Sequence, residues 1–254
     1  MRVADHIVEA RRERIAEYLR RHAYASLKDV CLAHRISEAT ARRDLMTLES
    51  KNRIVRTYGG ALAEYHQRFP TFRDRLQDQR TPKRRMALAA VKLIQPGTTI
   101  YFDLGTSVHA IAEALDRRPV PDVKIVTNSL PVANLLTETG GLRVFLLGGE
   151  FLPRQSALLG GTARNSLDSY SIDLAFFSAE AADKRGVWNS QEVIVDLQRA
   201  VMQRADQSVF CLDAKKFARQ AECFLAGWDE VDMLITNASD EAVAALTSVD
   251  RTLV

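Results

Sequence analysis

Residues 36–48 read I-S-E-A-T-A-R-R-D-L-M-T-L, and this stretch decides how the N-terminal part of the chain folds. Within this stretch Ser37 is the expected helix N-cap, and Glu38 lies where the helix dipole favours a negative charge. Three apolar positions at i, i+4 and i+7 predict one buried stripe, formed by Ala41, Leu45 and Leu48. The other faces carry Thr40, Arg42, Arg43 and Thr47. A short helix of this kind is typical of DNA recognition in the major groove.

Elements on both sides of this helix predict a winged helix-turn-helix. Residues 12–21 form an amphipathic helix, and a second helix begins at Ser26, with Asp29 completing a capping box. Residues 51–62 read K-N-R-I-V-R-T-Y-G-G-A-L, which predicts a basic hairpin, the wing. The candidate DNA-binding residues are Ser37, Glu38, Thr40, Arg42, Arg43, Thr47, Arg53, Arg56 and Tyr58.

The distribution of charge supports DNA binding. Residues 1–56 contain 13 Lys plus Arg and 8 Asp plus Glu, a net charge of +5, whereas the whole chain carries +3. The remainder is therefore weakly acidic, and the positive charge is concentrated where phosphate contacts are expected. The alternative is that the arginine pair is only a solvated surface. The agreement of caps, helix order and hairpin favours DNA binding.

The composition is that of a soluble globular protein with two domains. The chain has 254 residues, 46% of them hydrophobic and 26% charged, and its composition shifts after about residue 62. We predict domains at 1–62 and 81–254, joined by a linker at 63–80 in which Phe69, Phe72 and Leu76 provide anchors. The sequence has neither a membrane-spanning run, a secretory signal, paired cysteines nor zinc-ligand spacing. It predicts a cytoplasmic protein with neither metal nor cofactor.

The second domain alternates strands and helices. Apolar runs such as residues 123–127, V-K-I-V-T, and 208–213, S-V-F-C-L-D, are typical of strands buried on both faces. Helical segments, for example 192–204, separate them. The expected fold is therefore a Rossmann-like α/β domain with a mostly parallel sheet.

Polar residues follow several of these strands, at the edge where ligands bind in parallel sheets. Helix starts offer backbone N–H groups for a phosphate, and hydroxyls and carboxylates suit a polyol. A small phosphorylated, sugar-like molecule is the expected effector. Each turn alone is equally consistent with a simple helix cap, but several together favour a pocket. The candidate effector residues are Asp103, Gly105, Thr106, Ser107, Thr127, Asn128, Ser129, Gly148, Gly149 and Lys216.

Motifs along nearly the whole chain resemble those of the DeoR family of bacterial transcriptional regulators. They are R-x-x-x-I at 11–15, I-S-x-x-T-x-R-R-D-L-x-x-L-E at 36–49, I-V-R-T-Y-G-G-A at 54–61, F-R-D-R at 72–75, D-L-G-T-S at 103–107, V-T-N-S-L at 126–130, L-L-G-G at 146–149 and D-A-K-K-F at 213–217. The resemblance implies a winged helix-turn-helix followed by a ribose-5-phosphate-isomerase-like domain that senses a phosphorylated sugar.

Five positions depart from the family pattern. Tyr58 stands where the family usually has His, and Ala41 where it has a larger aliphatic residue. Ser178 and Ala181 replace glycines, and Lys215 replaces a serine. The last three are expected to reshape the effector pocket rather than the fold.

The leading interpretation is a repressor of a carbohydrate-utilisation operon that is not an enzyme. It would bind operator DNA as a homo-oligomer, a dimer or tetramer, because dimers match palindromic half-sites. Whether the effector releases or promotes DNA binding stays open. One alternative is an isomerase-like enzyme fused to a nucleic-acid-binding module, using Asp103, Glu180, Asp183, Glu192, Asp213 and Lys216. An RNA-binding regulator is disfavoured because an aromatic stacking motif is lacking.

Overall fold

The computed structural model describes residues 5–22, 24–51, 54–56, 60–63 and 71–254. The chain divides into two compact units, the second of which holds most of the residues from about 70 onward. No helix within the described ranges is both long and apolar enough to cross a bilayer.

In its described residues, the first unit combines three helices with a small antiparallel sheet in the order β1-β3-β2. Its elements are α1 (Asp5–His22), β1 (Tyr24–Ser26), α2 (Leu27–His34), α3 (Glu38–Ser50), β2 (Ile54–Arg56) and β3 (Gly60–Ala63). The predicted order of helix, helix, recognition helix and hairpin is confirmed. Strand β1 was not predicted, because three residues are too few to show a period-two pattern.

The caps and the core of this unit follow the sequence pattern. Ser26 and Asp29 form the predicted capping box, and the Ser37 side chain accepts a hydrogen bond from the backbone N–H of Thr40. The predicted stripe of α3 is buried, together with residues of α1 and α2. The fully or almost fully buried residues of this core include Ile15, Leu19, Val30, Ala41, Leu45 and Leu48.

The second unit is an α/β domain. Its elements are α4 (Phe72–Gln77), α5 (Arg80–Ala90), β4 (Thr99–Phe102), α6 (Thr106–Arg117), β5 (Val123–Thr127), α7 (Leu130–Leu136), β6 (Leu142–Leu146), β7 (Glu150–Leu152), β8 (Ala157–Leu159), α8 (Gly161–Ser166), β9 (Leu174–Phe177), β10 (Ala181–Asp183), β11 (Gly186–Asn189), α9 (Glu192–Met202), β12 (Ser208–Leu212), β13 (Cys223–Ala226), β14 (Met233–Thr236), α10 (Asp240–Ala244) and β15 (Arg251–Leu253).

A seven-stranded sheet with the order β15-β14-β12-β9-β4-β5-β6 forms the centre of this unit. All of its strand pairs are parallel, as predicted. From β4 the chain proceeds to β5 and β6 on one side, whereas β9, β12, β14 and β15 lie on the other. The strand order therefore reverses between β4 and β9, which is where ligands bind in open α/β sheets.

Apolar side chains cover both faces of the sheet. Phe102 and Phe176 pack with α5, α6 and α7 on one face, and Phe177 and Phe210 pack with α9 on the other. All four aromatic side chains are fully buried. Burial on both faces explains why these strands read as continuous apolar runs.

Two antiparallel additions were not predicted. Strands β7 and β8 form a hairpin, and β10, β11 and β13 form a three-stranded sheet. The latter pairs Val187 with Ala226, residues far apart in sequence. Strands of three or four residues that depend on distant partners leave little local signal.

Residues 71–80, which the sequence assigns to the linker, instead form α4 and the start of α5. A capping box between Thr71 and Asp74 begins α4, and Phe72 is buried, in keeping with its predicted role as an anchor. Helix α5 begins at Arg80 and has Pro82 in its first turn.

Candidate DNA-binding and effector sites

The recognition helix α3 presents a polar and basic surface opposite its buried stripe. Arg42 and Arg43 are exposed, and Thr40 and Thr47 are partly exposed. Arg42 Nη2 lies 3.4 Å from the Glu38 carboxylate, an i,i+4 pair that restrains its side chain. The adjacent arginines point about 100° apart on a helix. Both therefore project from the helix, in different directions.

Of the three predicted wing residues, only Arg56 lies among the described residues. Arg53 and Tyr58 lie outside the described residues. Arg56 lies in β2, which pairs with β3 through Arg56 and Ala61, but its side chain is not described. Their role in DNA binding stays a prediction.

Asp44, on the buried side of α3, was not singled out by the sequence. Its carboxylate accepts hydrogen bonds from Arg11 Nε at 2.6 Å and Arg12 Nε at 2.9 Å, and it is 1% exposed. These ion pairs fix α3 against α1. The aspartate of R-R-D-L therefore orients the helix whose arginines face outward.

Asp103 lies at the reversal point, directly after β4. Its backbone N–H donates to the carbonyl of Phe176 on β9 at 3.0 Å. The side chain is fully buried, and Oδ1 has no hydrogen-bond partner among the described residues. Burial raises the pKa of Asp103 to about 7, although hydrogen bonding to Gln198 and to the backbone of Leu104 and Ser178 opposes the rise. A buried carboxyl with an unused oxygen suits a ligand hydroxyl.

The turn after β5 contributes three buried residues with different roles. Thr127 Oγ1 donates to the Phe102 carbonyl at 2.6 Å and accepts from the Ser129 N–H at 3.0 Å, and Ser129 caps α7. Their hydroxyls therefore serve the turn itself. Asn128 Oδ1 accepts from the Tyr101 hydroxyl at 3.0 Å, while its Nδ2 has no partner among the described residues. Asn128 is thus the member with unused hydrogen-bonding capacity.

Gly105 is the N-cap of α6. Its backbone φ is 127°, a value that residues other than glycine rarely adopt. A Cβ at this position would lie 2.2 Å from Ser178 Oγ. The start of α6 has no side-chain cap, and Thr106 and Ser107 in its first turn are buried. Its backbone N–H groups therefore face the site without a competing side-chain acceptor.

Gly148 and Gly149 lie farther toward the edge of the sheet. They follow β6, and both are exposed. The segment is joined to the β5 turn by the Leu147 N–H, which donates to the Thr127 carbonyl at 2.8 Å. The structure thus brings the ends of β4, β5 and β6 side by side, with the glycines outermost.

Lys216 approaches from the other side of the reversal point. It lies in the turn Ala214–Lys216 after β12, which Asp213 caps through the Lys215 N–H. Lys216 Nζ donates to the carbonyl of Ala179 at 2.7 Å. Burial lowers the pKa of Lys216.

Lys83 is a further charged group of the site that the sequence analysis missed. It projects from α5 and is only 6% exposed. Burial lowers the pKa of Lys83 to about 8, while the negative charge of Asp213 raises it and the positive charge of Lys216 lowers it. In the sequence, Lys83 lies three residues before Met86, so both fall on one face of the helix. This spacing was the available signal that Lys83 is buried.

A buried hydrogen-bond network, also missed, supports Asp103. Gln198 Nε2 donates to Asp103 Oδ2 at 2.7 Å and to the Ser178 carbonyl at 3.0 Å. Gln198 Oε1 accepts from Asn189 Nδ2 at 2.6 Å, and Asn189 Oδ1 accepts from the Glu180 N–H at 3.0 Å. The network thus connects the unusual loop after β9 to the pocket residue.

The acid–base residues of the enzyme alternative are only partly gathered at this site. Glu192 is exposed at the start of α9. Asp183 accepts from Trp188 Nε1 at 2.8 Å, and Glu180 hydrogen bonds to Ser190. Asp103, Asp213 and Lys216 lie at strand ends near the reversal point, and Glu180, in the loop after β9, is close enough for its charge to raise the pKa of Lys216.

Both units match known domains of one class of transcriptional regulator. Residues 11–67 match the DeoR-like helix-turn-helix domain, and residues 78–238 match the DeoR C terminal sensor domain. The chain belongs to the DeoR family and is a DNA-binding transcriptional regulator.

Relatives align over most of the chain. It is 30% identical to the HTH-type transcriptional repressor GlcR of Bacillus subtilis (strain 168), over 90% of this chain and 88% of that protein. It is 33% identical to a protein described as an aga operon transcriptional repressor in Escherichia coli O157:H7, over 92% and 87%. Among solved structures, ribose 5-phosphate isomerase A from Methanocaldococcus jannaschii is 18% identical, with 54% and 53% coverage and a TM-score of 0.40.

Proposed function

We propose that the protein is a cytoplasmic repressor of a carbohydrate-utilisation operon, released or recruited by a phosphorylated sugar. The relatives named as repressors support the first part of the proposal. DNA recognition is assigned to α3, because its exposed arginines project from a capped helix packed on its opposite face. We further propose a symmetric homo-oligomer, since symmetric protein pairs match palindromic half-sites.

The DNA assignment is tested with Arg42→Ala plus Arg43→Ala in the full chain. An operator is first selected from random double-stranded DNA with the unaltered protein. We expect the double variant to lose specific binding at fixed salt, because it removes the exposed cations of α3. Arg84→Ala plus Arg85→Ala, an exposed adjacent pair on α5, is the matched control. Equal operator affinity for both double variants would falsify the assignment.

One observation carries the effector proposal: Asp103 Oδ1 and Asn128 Nδ2 are buried at adjacent strand ends without hydrogen-bond partners among the described residues. Unpaired buried polar atoms are costly, and a polyol supplies both an acceptor and donors. The uncapped start of α6 and the ammonium of Lys216 favour a phosphate on the same molecule.

A thermal-shift screen of sugar phosphates tests this site, because a ligand of the native state raises the melting temperature. We expect a stabilising compound whose effect disappears in Asp103→Ala and in Lys216→Met. Lys184→Met, at an exposed lysine, is the control. An unchanged shift in both site variants would place the pocket elsewhere. Repeating the operator titration with the stabilising compound then gives the sign of regulation.

We infer that the second unit senses rather than catalyses. The positions of Glu192 and Asp183, away from the end of β4, support this inference, and likeness of fold alone does not confer activity. Turnover of a sugar phosphate by the full chain, lost in Asp103→Ala, would instead establish the isomerase-like alternative.

A further inference from the structure

The first residue of α4, Phe72, contacts other elements of the second unit. The Phe72 N–H donates to the Arg154 carbonyl at 2.8 Å, and the Phe72 ring packs edge-on against His109 with centroids 5.4 Å apart. These contacts join α4 to the β7–β8 turn and to α6. The start of α4 is therefore held in position by these two contacts.

The end of α4 is held by the buried lysine. Lys83 Nζ donates to the carbonyls of Arg75 at 2.7 Å and Asp78 at 2.6 Å. The chain then turns through Gln79, whose φ is 51°, into α5. Lys83 therefore caps the last carbonyls of α4 from within the next helix.

A second cation ties the same end to the loop that carries Lys216. Lys215 Nζ lies 2.8 Å from Asp78 Oδ1, in a pair whose side chains are 57% and 59% exposed. This hydrogen bond lowers the pKa of Asp78.

A cavity of about 210 Å³ adjoins these contacts. Leu76 and Gln77 of α4, Lys83 of α5 and Thr106 of α6 are among its lining residues. The cavity therefore borders both α4 and Thr106, one of the predicted effector residues. An anion entering here competes for Lys83, because the ammonium is attracted more strongly to a charged acceptor than to neutral carbonyls.

We propose that α4 is a latch, closed by Lys83 and by the Lys215–Asp78 pair, through which the effector site controls DNA binding. This inference rests on the proposed effector site. Binding of an anionic effector draws the two lysines away from α4 and frees its C-terminal end. Helix α4 is the first described element after the DNA-binding unit in the chain, so its displacement acts on the connection to that unit.

The test opens the latch without any effector, using Lys215→Glu in the full chain. Both partners are exposed, so the variant is expected to fold. Losing an exposed ion pair changes an equilibrium by about two- to fivefold. We expect faster amide hydrogen exchange in residues 72–78 and a change of about that size in affinity for the selected operator. Lys184→Glu, with the same change of charge, should alter neither measurement.

The exchanged pair Lys215→Glu plus Asp78→Lys distinguishes a latch from a simple change of charge. It restores attraction, so both the amide protection and the operator affinity should return toward their original values. Unchanged exchange in Lys215→Glu, or faster exchange with unchanged affinity, would overturn the latch. Because no sugar phosphate is present, this outcome is separate from a failed thermal-shift screen, which bears on the effector site.

Discussion

At the scale of single residues, the burial of Asp103 makes stability depend on pH. Its pKa is raised to about 7 from an ordinary 3.8. Below pH 3.8 the carboxyl is protonated in both the folded and the unfolded chain. Between these values the unfolded chain ionises first, so the free energy of unfolding falls as the pH rises. Above about pH 7 the loss is complete.

Asp103→Asn removes this titration while keeping the shape and an oxygen for Gln198. We expect the variant to gain stability relative to the unaltered protein between pH 4 and 7, by at most about 4 kcal/mol. Urea unfolding at several pH values measures the difference. Asp122→Asn, at an exposed position, is the control. A pH-independent difference for Asp103→Asn would contradict the raised pKa.

Gly105 is required for two separable reasons, a positive φ and the proximity of Ser178 Oγ. Gly105→Ala is expected to cost about 1–3 kcal/mol through backbone strain, with an added steric contribution. Ser178→Gly in the same chain should recover only the steric part. Urea unfolding of both single variants and the double variant checks this. Full recovery in the double variant would show that the backbone is not strained.

At the scale of elements, the attachment of α3 to α1 depends on one carboxylate. Asp44→Asn keeps the side-chain shape but removes the charge that holds Arg11 and Arg12. We expect a loss of about 3 kcal/mol from the first unit, because two guanidinium groups lose their buried partner. Hydrogen exchange in α1 and α3 locates the loss. Asp168→Asn, which breaks an exposed pair with Arg204, should cost under about 1 kcal/mol.

The elements that were predicted correctly are those with complete local signals. Ser26 and Ser37 mark helix starts, and apolar runs such as Val123–Thr127 mark buried strands. The site was less visible, because Gln198 and Lys83 reach it from helices distant in sequence. The stretch around α4 predicts a linker, because it contains Pro70, many charges and few aliphatic residues. Its stability depends on contacts that the other helices supply.

At the scale of the whole molecule, the separation of charge predicts how salt acts. Residues 1–56 carry +5 and the remainder is weakly acidic. Removing one cation that neutralises a DNA phosphate reduces the slope of log affinity against log salt by about 0.9. We expect one of Arg42→Ala and Arg43→Ala to lower the slope by about that amount. The other should mainly change sequence preference.

Operator titrations at several salt concentrations, with cognate and substituted DNA, separate the two roles. Arg84→Ala on α5 should leave the slope unchanged. If neither arginine alters slope or preference, α3 does not approach the DNA.

The adjacency of β4 and β9 also sets an order of events during folding. The contact between Thr99 and Asp173 that borders this pair spans 74 residues. The central sheet cannot close until both strands exist, and such long-range contacts form slowly. The first unit is built from nearby segments and leaves the ribosome first. We therefore expect the DNA-binding unit to be folded before the sensor sheet assembles on the nascent chain.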